Sequence, residues 1–252
     1  MIRHPHFHAA ALALLIFTTL APAGPGTRPE PLRIVAFGDS TTAPREALVI
    51  YAERLAHDLP ARGIDVEVAN AGIPSNTTED ARKRFQVDVI DRKPALVILQ
   101  FGINDAAVDV WKDPPATSPR VDRERFKENL AFFLRELAER DIRAILMTPN
   151  PTRWAPKTRE LYGRPPYGPE DPDGFNVLLR GYAGAAREIA AALNTPLVDV
   201  YAAFQDYGSV PGQSADDLLL DGMHPNEAGH ALVAGLLLEA IAAGGDDESD
   251  AK

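Results

Sequence analysis

The chain contains no cysteine among its 252 residues. Disulfide staples, thiolate zinc sites, iron–sulfur clusters, a cysteine nucleophile and a lipidated cysteine anchor are therefore excluded. Basic side chains are in deficit: 26 Lys and Arg face 36 Asp and Glu, a formal charge of −10, with a pI near 5.1. A nucleic-acid binder needs a concentrated basic surface, and anionic membranes attract the same cationic patches, so neither partner is expected. Length and apolar content (45% hydrophobic) suit one acidic globular domain with a substantial core.

The first two dozen residues have a separate logic. Met1 to His8 carries one arginine and three histidines, Ala9 to Leu20 is almost unbroken apolar sequence, and Ala21-Pro22-Ala23 is an A-x-A site. This is the layout of a secretory signal peptide over 1–23, cleaved after Ala23, and it predicts a secreted or periplasmic protein. The apolar stretch is about a dozen residues, well short of the roughly 20 that a spanning helix needs, so no integral membrane segment is expected after cleavage. Retention of the segment as an anchor is the alternative. Residues 24–31 read as a flexible leader, 32–243 as the domain, and 244–252 (GGDDESDAK) as an acidic disordered tail.

Inside the domain, strand and helix signals alternate. Short apolar runs at 32–37, 66–69, 95–101, 142–147 and 196–201 read as buried strands. Helical periodicity covers 46–59, about 76–91, 122–140, 174–193 and 226–242. Five strands alternating with five helices predict a three-layer α/β/α domain with a mostly parallel sheet. Ligands in such sheets sit beyond the carboxyl ends of the strands. The turns to search are Gly38-Asp39-Ser40-Thr41, Asn70-Ala71-Gly72 and Gly102-Ile103-Asn104-Asp105, with Asp221 to Asn226 before the last helix.

Elimination narrows the chemistry. Beyond the leader only His57, His224 and His230 remain. His57 lies late in a helix and His230 inside another, whereas His224 stands at a helix start on the edge where the other turns emerge. A capping or packing histidine is the plainer explanation. Asp221, three residues earlier, argues for more, because a D-x-x-H turn folds a carboxylate back onto the imidazole. Ser40 alone among the serines follows a buried strand through a glycine. It reads either as an ordinary N-cap or as a nucleophile beside free backbone N–H groups. The Ser40 and Gly72 N–H groups and the Asn104 amide would together make a three-donor oxyanion hole.

These four segments resemble the blocks of the SGNH hydrolases, also called GDSL-type esterases and lipases: G-D-S at 38–40, N-x-G at 70–72, G-x-N-D at 102–105 and D-x-x-H-P at 221–225. The resemblance covers about Arg33 to Leu238. It implies a flavodoxin-like sheet of order 2-1-3-4-5, Ser40 as nucleophile, His224 as base, Asp221 as its orienter, and Ser40, Gly72 and Asn104 as oxyanion donors. Thr41 replaces the leucine of the GDSL signature, and Ser75 stands where many relatives have a second glycine. Activity is then two-step acyl transfer to water through an acyl-serine, without cofactor or metal. Asp221, His224 and His230 do not form a familiar metal-ligand set, and the P-loop lysine is missing.

Substrate is read from the long segments 105–121 and 149–173, which carry Trp111, Trp154, Tyr162 and Tyr167. With Asp39 and Thr41 beside the nucleophile, these are the candidates to line a substrate pocket. Aromatic faces among polar groups suit sugars or aryl groups better than a long acyl chain, although the same rings also serve to pack loops together. The expected substrate is a small-molecule or carbohydrate ester with a short acyl group. A lipase, lysophospholipase or arylesterase, or a catalytically dead binding protein of the same fold, is the alternative.

Overall fold

The structure, a computed structural model, describes residues 30–45 and 47–246. The expected signal peptide at 1–23, most of the leader and the tail from 247 onward lie outside the described residues.

Five strands form one parallel sheet: β1 (Leu32–Gly38), β2 (Val66–Gly72), β3 (Leu96–Gln100), β4 (Arg143–Met147) and β5 (Leu197–Val198). Their order is β2-β1-β3-β4-β5, as the resemblance implied. Eight helices accompany them among the described residues: α1 (Tyr51–Ala61), α2 (Thr78–Asp88), α3 (Ile103–Ala106), α4 (Arg123–Ala138), α5 (Pro156–Tyr162), α6 (Leu179–Ala192), α7 (Val200–Ser209) and α8 (Glu227–Asp246).

Strand side chains alternate between faces, and the two cores divide accordingly. Val35, Phe37, Val97 and Leu99 point to one face, where Phe85, Phe126, Phe133 and Tyr182 from α2, α4 and α6 cover them. Ile34, Ala36, Leu96 and Ile98 point to the other, against Tyr51, Leu55, Phe204 and Leu237 from α1, α7 and α8. β3 is buried at every position, as a central parallel strand with helices on both faces must be. Residues 227–244 of α8 are long and apolar enough to span a bilayer by composition, but Val233, Ala234, Leu237 and Ile241 are packed in this second core.

Several boundaries differ from those read off the sequence. The fifth strand stops at Val198 rather than Tyr201, because Asp199 caps α7: its carboxylate accepts the Ala202 N–H at 3.1 Å and pairs with Arg187. The apolar residues Val200 and Tyr201 thus belong to a helix that strand-like composition concealed. The first helix starts at Tyr51 and not near 46, with Glu53 Oε2 accepting the Ile50 N–H at 3.3 Å. The last helix runs on to Asp246, three residues into the expected tail. The long loops also contain the short helices α3 and α5, which the sequence reading left as loop.

Candidate active site

The carboxyl ends of β1, β2 and β3 and the turn before α8 meet at one edge of the sheet. Ser40 follows β1 through Gly38, whose carbonyl is held by Arg84 Nη2 at 2.9 Å. The same guanidinium holds Ala71 O at 2.8 Å and Asn76 Oδ1 at 2.7 Å. One side chain from α2 thereby ties the end of β1 to the end of β2 and the loop beyond it.

The Asp221–His224 segment is a closed turn. Leu219 and Pro225 form an antiparallel bridge, the Leu220 N–H donates to His224 O at 2.8 Å, and Gly222 sits at φ +80°, where a Cβ would lie 2.4 Å from Arg153 O. Only glycine meets both demands. The Asp221 carboxylate accepts the backbone N–H of Met223 at 3.1 Å and of His224 at 2.9 Å, and its Oδ2 lies 2.8 Å from His224 Nδ1. A carboxylate only accepts, so Nδ1 carries the ring proton and Nε2 is left as an acceptor. That Nε2 lies 3.0 Å from Ser40 Oγ. Partial burial works to raise the Asp221 carboxyl, but the hydrogen bonds from the His224 ring and backbone outweigh it and hold the group below the usual carboxylate range.

Asp39 and Thr41, expected as pocket residues, are both buried. Asp39 Oδ1 accepts from the Thr41 N–H and hydroxyl, each at 2.9 Å, and its Oδ2 faces Asn104 Nδ2 at 3.3 Å. Burial pushes the Asp39 carboxyl up, against the opposing hydrogen bonds from Thr41 and the field of His224. These two residues brace the nucleophile turn from beneath. The Ser40 N–H has no hydrogen-bond partner among the described residues, and the Asn104 amide reaches the same edge from the start of α3.

Gly72 requires a correction. Its N–H was expected to face a substrate oxygen, but it donates to Asn70 Oδ1 at 2.8 Å, while Asn70 Nδ2 donates to Thr42 O at 2.7 Å. A Cβ on Gly72 would lie 2.3 Å from Ala43 N. The glycine is there because the β2 exit presses against the nucleophile turn, and Asn70 staples the two together. Ser75 takes up φ +66°, a glycine-like backbone, and its N–H is unpartnered among the described residues.

Three of the four aromatics expected at the pocket border cavities, and all four also make contacts that hold the long loops together. Trp154 stacks on Phe175 with centroids 4.8 Å apart, lies beneath the Arg159 guanidinium and donates to Asp171 O at 2.9 Å. Trp111 Nε1 reaches the Tyr162 hydroxyl at 3.3 Å, and the Val108 N–H donates to the Tyr167 hydroxyl at 2.8 Å. Tyr162, Tyr167 and Phe175, with Val108, Val110 and the partly buried Trp154, form a third small core that joins the two long segments. Trp111 is 44% exposed, and Trp154 lines a wider groove beside Arg153. Tyr162 and Tyr167 border a cavity of about 40 Å³, with Asn104, Arg120, Thr152 and Met223. The wider groove, of about 600 Å³, is also lined by Glu170, Asp173, Gln205, Ser209 and Asp216.

The sequence reading passed over three side chains that shape this site: Asn70, Arg84 and Arg120. Only Asn70 lay inside a recognised motif. Among the described residues, no group of three or more His, Asp or Glu is arranged to hold a metal ion.

The model of the GDSL-like lipase/acylhydrolase family matches residues 36–232. The uncharacterized lipoprotein YqeF of Bacillus subtilis is 33% identical over 225 residues, 84% of this chain and 86% of that protein. The acetylxylan esterase of Geobacillus stearothermophilus is 29% identical over 71% of this chain and 73% of its own length. Among solved structures, the lipase/acylhydrolase from Enterococcus faecalis superposes with a TM-score of 0.63 at 31% identity, over 83% of this chain and 94% of that one. The Geobacillus acetylxylan esterase superposes with a TM-score of 0.65 at 25% identity, over 83% and 93%. Catalytic mutants of that esterase replace a serine, an aspartate and a histidine.

Proposed function

The chain belongs to the GDSL-like lipase/acylhydrolase family and is a carboxylic ester hydrolase, and from that premise we propose that it is an exported serine esterase acting on short-chain esters of carbohydrates, O-acetyl esters above all. The observation that carries this reading is the unbroken line from Asp221 through His224 to Ser40, at 2.8 and 3.0 Å.

His224 Nε2 takes the Ser40 proton as Oγ attacks the ester carbonyl, and the carbonyl π electrons move onto oxygen. The Ser40 N–H and the Asn104 amide receive that oxyanion. Collapse of the intermediate breaks the C–O bond, and the imidazolium gives its proton to the departing alcohol. Water, deprotonated by the same His224, then releases the acid and restores Ser40. Asp221 stays ionised throughout and offsets the charge on the imidazolium.

Two features support a short acyl group on a sugar. The cavity beside Asn104 is small, about 40 Å³, and suits a short acyl group better than a fatty chain. The groove beside Arg153, where Trp154 stands among Glu170, Asp173, Gln205 and Asp216, suits a hydroxylated leaving group. The similarity to an acetylxylan esterase points the same way. The segment 1–23 supports export, and a mature N-terminus at Gly24 in the secreted protein is the expected product.

A panel of p-nitrophenyl acetate, butyrate and octanoate beside acetylated xylan tests the substrate reading. Acetate and acetylated xylan are expected to be the preferred substrates. Preference for octanoate would make the protein a lipase of the same family. Failure of a fluorophosphonate to label Ser40 would remove the acyl-serine.

A further inference from the structure

Asn104 is useful to an oxyanion only if its NH2 and not its C=O faces the substrate, and the two ends of an amide have nearly the same shape. Two partners choose between them here. Arg120 Nη1 donates to Asn104 Oδ1 at 3.1 Å, and a guanidinium can only donate, so the oxygen end must face it. Asp39 Oδ2 takes one hydrogen of Nδ2 at 3.3 Å. The second hydrogen of that NH2 is left to aim outward.

Arg120 is itself held firmly. Its Nε and Nη2 engage the Asp109 carboxylate at 3.1 and 2.7 Å, and Asp109 is buried, with its side chain only 4% exposed. The Arg120 backbone N–H donates to Ala107 O at 3.0 Å. A planar fork spends one edge on Asp109 and keeps Nη1 for Asn104, a division that a single ammonium cannot make. The Asn104 contact spans 16 residues of sequence and leads into the site, whereas a clamp for the loop alone would need only Asp109 and Ala107.

We propose that Arg120 is a positioning residue for the reaction: anchored on Asp109, it sets the orientation of the Asn104 amide and so the second donor of the oxyanion hole. The proposal rests on the reading of Asn104 as such a donor. Arg120 also borders the cavity beside Asn104, but its effect on kcat passes through residue 104.

The test is a double-mutant cycle of Asn104→Ala and Arg120→Met, with kcat and KM on p-nitrophenyl acetate and a thermal midpoint for each protein. Asn104→Ala is expected to lower kcat by about 10²–10³. Arg120→Met leaves the amide in place but free to turn, and is expected to cost about ten- to a hundredfold in kcat, with KM within about threefold of wild type. In the Asn104→Ala background the same change is expected to cost less than about twofold. Losses that multiply in the double variant would show that Arg120 acts by another route and overturn the proposal while leaving the oxyanion hole standing. Wild-type kcat for Arg120→Met would also overturn it. Wild-type kcat for Asn104→Ala would sink the donor assignment and this proposal together. If the thermal midpoint shows that Arg120→Met does not fold, Arg120→Lys keeps the charge opposite Asp109 without the fork. The cycle run with it is expected to show a kcat loss in the native background and none beside Asn104→Ala, and multiplicative losses would again overturn the proposal.

Discussion

Replacing Asp221 with asparagine separates geometry from proton bookkeeping. The native carboxylate collects two backbone N–H groups on Oδ1 and the His224 ring on Oδ2. Asparagine keeps an oxygen for the backbone pair, so the turn from Leu219 to Pro225 is retained. Its NH2 can only donate, however, and pairs with a ring nitrogen that must accept. The ring proton then moves to Nε2, which no longer takes the proton of Ser40. Loss of the correct tautomer costs about 10⁴ in turnover where the orienting acid is fully enclosed. Here the Asp221 side chain is 47% exposed, so water competes for Nδ1 and part of the loss is relieved. We expect kcat to fall by about 10²–10⁴, or about 3–5 kcal/mol of barrier. The assay is kcat and KM on p-nitrophenyl acetate, with fluorophosphonate labelling of Ser40 slowed in parallel and the thermal midpoint nearly unchanged. A folded Asp221→Asn protein that keeps more than about a tenth of wild-type kcat would refute a histidine base oriented by this carboxylate.

Two further outcomes concern stability. Burial raises the Asp105 carboxyl to about 7, well above the usual carboxylate range, with hydrogen bonds from Thr78 opposing it. The folded chain therefore keeps a proton that the unfolded chain releases, and stability is lost as pH rises from about 4 to 7. Asp105→Asn removes this titration, so its stability relative to wild type should climb across that window at about 1.4 kcal/mol per unit at most; parallel stability–pH curves in urea would contradict it. Ser75 holds a left-handed backbone, which a β-branched residue tolerates poorly, so Ser75→Val should cost about 1–2 kcal/mol. Ser75→Gly should stay within about 0.5 kcal/mol of wild type, and equal urea midpoints for Ser and Val would refute the assignment of strain.

Much of the molecule was readable from the chain because its signals are local. Strand and helix periods are repeated over whole elements, and alternate burial of Val35 and Phe37 against Ile34 and Ala36 follows from the pleat. Asp221 reaches His224 three residues away, within one turn, so the pair could be inferred without knowing the fold. The error at the fifth strand was local too: Val200 and Tyr201 suit a strand by composition, and the cap at Asp199 decides for a helix.

Relations across the sheet edge had no such signature. Ser40 and His224 meet across a sequence separation of 184 residues, and a motif could suggest the meeting but not place it. Gly72 looked like a donor because a glycine exposes its N–H, yet Asn70 takes that N–H and the missing Cβ makes room for the nucleophile turn. Trp111 and Trp154 looked like a substrate surface, and only the closed loops show that Trp154 also stacks on Phe175 and that the Trp111 N–H reaches Tyr162. Arg84 and Arg120 belong to no pattern, because the groups they hold are brought to them by packing alone. Hydrogen-bond partners and free faces are properties of what surrounds a side chain, and for residues far apart in sequence that surrounding exists only once the layers have closed.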